Sequence, residues 1–184
     1  AWNEGKQVTF DAIDFAVAPN FPDPDGNLPG HTEAQGRLTR WRLDVSTGRI
    51  DRELLVDVSA EFPRIDDRLA MGRHQHGFLA TASQRQRGDG GLFHEIAHID
   101  LASGQQQVWD AGFGSGVSEP VFVARSKQAD EGAGWLLATV FEPDRHTSSL
   151  VVLDAMAVAD GPVATVRLDH RVPFGFHGSW RPAA

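Results

Sequence analysis

The chain has 184 residues, 41% of them hydrophobic and 23% charged, which fits one folded domain able to bury a core and excludes a disordered tail. Its net charge of −8 is spread along the chain without any basic block or stripe, so the composition supports neither a nucleic-acid surface nor an anionic-membrane surface and favours small or neutral partners. With no cysteine, no apolar run of transmembrane length and no signal-peptide pattern, the chain offers no disulfide or thiolate chemistry, and its expected location is the cytoplasm.

The first residues, Ala1-Trp2-Asn3, lack a methionine and read as the middle of a strand and turn, so more sequence is expected upstream. The stretch FPDPDGNLPGHTEAQ (21–35), rich in Pro, Gly and Asp, predicts a long loop. Next comes RWRLDVSTG (40–48), where Trp41, Leu43 and Val45 alternate as in a strand and Asp44 opens a turn. The same unit returns in AHIDLASG (97–104) and more loosely in LVVLDAMAVADG (150–161), so that Asp44, Asp100 and Asp154 are 56 and 54 residues apart. A second landmark keeps step: HGFLATAS (76–83) and GWLLATVFE (134–142) carry Ala80-Thr81 and Ala138-Thr139, 58 residues apart.

Within each period the pattern is of short strands separated by Gly, Pro, Asp and Ser, with no amphipathic helix longer than two turns. An all-β repeat of about four strands per unit predicts β-propeller blades, here about three. Propellers close with roughly four to eight blades, so the three are expected to be part of a larger ring, with no domain boundary inside the chain.

Several local motifs invite a metal or phosphate reading. HEIAH (94–98) matches the H-E-x-x-H signature of zinc proteases. That signature works on a helix, where residues i and i+4 lie one turn apart; on a strand the same spacing covers about 13 Å. Aligning Asp100 with Asp44 sets His94, Glu95 and His98 against Leu38, Thr39 and Arg42 in a strand, so the two histidines are expected to be solvent-facing strand residues that share no zinc. His74 and His76 in GRHQHGF alternate as a pair without an assigned role, and His31, His146 and His170 fall in or beside loops. GFGSG (112–116) precedes a strand and not a helix, so it does not form a phosphate cradle.

The repeat points elsewhere. Glu61 in EFPRID, Glu119 in SEPVFVAR and His177 in VPFGFHGSW follow one another at intervals of 58 residues. Equivalent positions on inner strands of a propeller converge on its axis, so two carboxylates and an imidazole distant in sequence can meet at one site.

EFPRID, then PVFVARSKQADEGAGWLLATVFEPDRHTSSLVVLDA, then VRLDHRVPFGFHGSW resemble the C-terminal end of the carotenoid cleavage oxygenase family, and LTRWRLDVSTGRI and IAHIDLASGQ fit its intervening blades. The resemblance covers essentially the whole chain. It implies a seven-bladed propeller holding one non-haem Fe(II) on its axis through four histidines, three of them hydrogen-bonded to glutamates. By the same resemblance His177 is the last metal ligand, Glu61 and Glu119 are two of the supporting glutamates, and no residue beyond the metal site is catalytic. The other three ligands have no counterpart here. Ala1-Trp2 looks like the end of the motif that follows the third, so residues 1–184 are expected to be the C-terminal part of a single propeller domain whose N-terminal part is missing.

The implied activity is cleavage of a C=C bond in a carotenoid, apocarotenoid or stilbenoid by O₂ to two carbonyl products, with the isolated chain inactive. A non-catalytic scaffold and an alkene isomerase of the same family are the alternatives. An all-histidine ligand set suits Fe(II), and a glutamate accepting the other ring N–H fixes each imidazole's tautomer and orientation. Phe174 and Phe176 either line a hydrophobic substrate's tunnel or pack in the core.

Overall fold

The computed structural model describes residues 1–19, 21–30, 33–82 and 92–182. Three antiparallel sheets follow one another along the chain. The first contains β1 (Trp2–Glu4), β2 (Gln7–Phe15), β3 (Gly36–Asp44) and β4 (Ile50–Leu54). The second contains β5 (Ser59–Arg64), β6 (His76–Ala82), β7 (Glu95–Asp100) and β8 (Gln106–Asp110). In the third, β9 (Gly116–Val117) and β10 (Val121–Ala124) both pair with β11 (Gly134–Glu142), which continues to β12 (Thr147–Asp154) and β13 (Pro162–Arg167). Each sheet is a meander whose spatial order is its chain order, and the three make consecutive blades of an all-β propeller fold. Their first strands begin at residues 2, 59 and 116, which reproduces the period in the sequence.

The repeated Asp has a physical reason. At the end of β3, Asp44 Oδ1 accepts from the backbone N–H groups of Ser46 (2.8 Å) and Thr47 (3.1 Å), and at the end of β7 Asp100 Oδ1 accepts from Ala102 (2.9 Å) and Ser103 (3.0 Å). The side chain thus satisfies turn donors that the ladder leaves behind. Gly48 and Gly104 close these turns at φ 73° and 74°, where a Cβ would be strained. Asp154 begins the same way, accepting from Met156 N at 3.0 Å, but its turn widens into a 3₁₀ segment, Val158–Asp160, which is why the third copy reads loosely.

Two apolar layers join the blades. Leu38 and Val56 pack with Leu79, Ala97 and Ile99 between the first and second. Phe78, Ala80 and Ile96 pack with Val117, Phe122, Leu136, Ala138, Val140, Val151 and Leu153 between the second and third. Alternation along β6 sends Phe78 and Ala80 to one layer and Leu79 to the other, so the middle blade is buried on both faces. The expected loop lies between β2 and β3, and GFGSG leads into β9 and not into a helix. No α-helix occurs among the described residues, and no helix is long and apolar enough to cross a membrane.

Candidate active site at the inner strands

Glu61 lies on β5, the first strand of the second blade, and Glu119 lies between β9 and β10, which together form the first strand of the third. Both sit at the same irregularity. Glu61 pairs with Ala80 but Arg64 pairs with Phe78, so three steps along β5 face two along β6. Val117 pairs with Val140 but Val121 pairs with Leu137, so four steps face three along β11. Each inner strand therefore carries one extra residue, a β-bulge that re-aims the side chains around it. In the second blade the deformation includes Phe62 at φ 55°, a left-handed conformation uncommon for a non-glycine residue. Pro63 follows within the bulge and Pro120 directly precedes β10; proline, lacking an N–H, is tolerated where the ladder is already broken.

The structure brings Glu119 and His177 together. Glu119 is 5% exposed, and its Oε1 accepts from His177 Nδ1 at 3.3 Å. Its Oε2 accepts from the backbone N–H of Gly178 at 2.8 Å and from Arg64 Nη1 at 3.3 Å. A carboxylate oxygen can only accept, so this contact assigns the imidazole proton to Nδ1 and leaves Nε2 as the free lone pair on the opposite edge of the ring. The His177 side chain is 77% exposed, and Phe62 meets its ring edge-on at a centroid separation of 6.1 Å. Glu61 completes the group: burial pushes its carboxyl above the usual range, while the Phe62 N–H and the nearby His177 pull it back. The donor set fits a metal at His177, because a neutral imidazole held by a buried carboxylate at one nitrogen presents the other for coordination.

Beside these residues opens a cavity of about 640 Å³ whose wall includes Glu61, Phe62, Phe93, Phe141, Phe174 and Phe176. Phe174 and Phe176 line this space at 48% and 76% exposure, so they are cavity residues and not core. The Arg171 guanidinium lies over both Phe141 and Phe174, at 4.8 and 5.4 Å from the ring centroids, and braces that end of the wall.

HEIAH lies at and within β7, as the sequence predicts, but its histidines are not solvent-facing: His94 is 1% exposed and His98 3%. The middle blade is covered on both faces, so β7 is buried along all but its last residue. His98 Nε2 lies 3.1 Å from His76 Nδ1, and His94 Nε2 lies 3.5 Å from Glu95 Oε1. Donor atoms of His94, Glu95 and Asp110 come within 4.8 Å of one another, a grouping that leaves out His98, so the zinc-protease pairing is not formed. His74 is likewise buried, with Nε2 3.1 Å from Asp11 Oδ2.

Arg64, within EFPRID, carries no motif of its own in the sequence, yet it joins two blades at the site. The available signal was the odd spacing of Glu61 and Arg64 around a proline, which on a regular strand would set them on opposite faces.

A family model described as retinal pigment epithelial membrane protein matches residues 1–182. The isoeugenol monooxygenase of Pseudomonas putida is 36% identical over 98% of this chain, and the lignostilbene-alpha,beta-dioxygenase isozyme III of Sphingomonas paucimobilis is 32% identical over all of it. The chain spans 40% of the length of each of these relatives. The crystal structure of the Pseudomonas brassicacearum lignostilbene dioxygenase superposes with a TM-score of 0.89 at 30% identity, covering 99% of this chain and 40% of that one. The chain therefore belongs to the retinal pigment epithelial membrane protein family, the family of carotenoid cleavage oxygenases to which its own motifs point.

Proposed function

We propose that residues 1–184 are the C-terminal part of a single-domain, seven-bladed propeller oxygenase that uses non-haem Fe(II) and O₂ to cleave a C=C bond of a hydrophobic small molecule into two carbonyl products. The observation that carries this reading is the exposed His177 ring held at Nδ1 by the buried Glu119. A carboxylate removed from water and committed to one edge of an exposed imidazole is the arrangement that supports a metal ligand. His177 would hold the iron through Nε2, Glu119 would fix its ring, and Glu61 would support a ligand supplied by the missing blades. Ferrous iron bound there would supply the O₂ chemistry, and no side-chain nucleophile would be needed.

The residues present bind and orient. Phe62, Phe93, Phe141, Phe174 and Phe176 give the cavity an aromatic wall that takes a flat, electron-rich alkene and excludes water. The substrate class is a carotenoid, apocarotenoid or stilbenoid, and the names of the relatives extend the candidates to isoeugenol-type phenylpropenes.

Activity of the full-length protein on stilbene, apocarotenoid and isoeugenol substrates, followed as carbonyl product with iron content measured in parallel, tests the proposal. The expected result is one iron per full-length chain and two carbonyl products from one of the three classes. The isolated 184 residues, with one ligand histidine, should turn over none of them, and tight stoichiometric iron in that fragment would refute the ligand assignment.

A further inference from the structure

Arg64 reaches out of its own blade. The bulge between Glu61 and Arg64 changes which way the arginine points: three residues apart on a regular strand they would face opposite sides, but the extra residue restores them to the same side. From there Arg64 Nη1 donates to Glu119 Oε2 at 3.3 Å and to the carbonyl oxygen of Gly178 at 3.1 Å, while Nη2 donates to Asp67 Oδ2 at 2.9 Å. The Arg64 side chain is 18% exposed, that of Glu119 5% and that of Asp67 72%. Asp67 anchors the outer arm of the fork, leaving the inner arm to span two acceptors on the third blade and the C-terminal segment.

Those two acceptors flank His177. Glu119 holds the ring at Nδ1, and Gly178 is the next residue in the chain, with its N–H also bound to Glu119. The segment that carries His177 is otherwise exposed and outside any strand, so it has little ladder bonding of its own to fix the imidazole.

We propose that Arg64 is a positioning residue for the His177 ligand: by fixing the Glu119 carboxylate and the Gly178 peptide together, it sets the direction in which His177 Nε2 is presented to iron. This rests on the proposed function. A planar, five-donor guanidinium suits the task because it reaches a carboxylate and a carbonyl from one rigid group, whereas an ammonium at the end of a flexible stem fixes neither direction. The effect travels through Glu119, so Arg64 and Glu119 should not act independently.

The test measures iron affinity of the full-length protein by competition with a chelator. Arg64→Met should weaken iron binding about tenfold, the low end of the loss expected for a partner of a ligand. Arg64→Lys, which keeps charge and stem, should recover part of that loss and serves where the methionine variant does not fold. In a Glu119→Ala background Arg64→Met should cost little more, a non-additivity that general destabilisation would not produce. Unchanged iron affinity in Arg64→Met, or the same loss with and without Glu119, overturns the role of Arg64 while leaving His177 as ligand. Iron binding in His177→Ala as tight as in the native protein overturns the functional reading itself, and this inference with it.

Discussion

The second and third blades have the same strand order and nearly the same length, yet they are buried differently. Every residue of β6 but the last is buried, whereas β11 alternates buried and half-buried along its length. The outermost strand of the third blade, β13, is exposed throughout. The middle blade has a neighbour on each face and the third packs on one. Position in the array, not the sequence of the strand, decides which polar residues lose water: Glu95 and His98 of β7 are interior, while His177, beyond the third blade's last strand, is open to water.

The sharpest way to break this contrast is to remove one apolar side chain from each blade. Phe78 is fully buried and stacks on Phe122 at 5.4 Å between centroids, so Phe78→Ala should destabilise the protein by about 3–5 kcal/mol in urea denaturation. Val166→Ala on β13, where the side chain is 52% exposed, should stay within about 0.5 kcal/mol. Comparable losses at the two positions would mean that the blades are not differently buried. At the open edge the expected loss is of function: Glu119→Ala in the full-length protein should weaken iron binding about 10- to 100-fold, measured by chelator competition. A smaller change than Arg64→Met produces would place the ligand's support elsewhere.

Much of the fold is legible in the sequence because turns announce themselves. Asp44, Asp100 and Asp154 mark the third strand of each blade through a local hydrogen-bonding pattern that needs no tertiary context. The interval from Glu61 to Glu119 carries over because equal intervals in a repeat become equivalent places, here the bulge of each inner strand. Burial does not carry over. EIAHID carries a polar residue at Glu95, His98 and Asp100, as a half-exposed strand would, and only the presence of a blade on each side makes His98 interior. Bulges are equally hidden: the extra residue at Glu61 is defined by its partner strand, so the reach of Arg64 to Glu119 cannot be read from EFPRID alone.

Between the first and second blades the contrast can be tested with acid. Asp11 accepts from Arg40 Nε at 2.7 Å and Nη2 at 2.8 Å, with His74 Nε2 at 3.1 Å, and only 9% of its side chain is exposed. Burial pushes the carboxyl upward, but Arg40 and then His74 more than offset it and hold it at about 2, against an ordinary 3.8. The folded state therefore binds fewer protons than the unfolded one between these values, so the contribution is complete above about pH 4 and lost as pH falls through about 2. Stability measured from pH 5 to 2 should show an acid loss on the order of 2 kcal/mol that Asp11→Asn removes from the profile. An unchanged acid limb in the variant would assign the loss to other carboxylates.

The smallest effect, and the one most specific to the middle blade, belongs to His98. Burial lowers its pKa below the ordinary 6.5, and His76, with Nδ1 3.1 Å away, lowers it further against a weaker opposing pull from Asp100. Neutral His98 is thus the form the fold accommodates. An unfolded chain protonates this histidine as pH falls below about 6.5 while the folded one resists, so stability is full above that value and declines as pH drops towards the folded pKa. One proton at most is involved, so the slope from this group stays under about 1.4 kcal/mol per pH unit. His98→Gln should flatten the stability profile between pH 7 and 5. An unchanged slope in the variant would show that His98 is not held away from water in the middle blade, and the contrast between an enclosed and an open blade would fail.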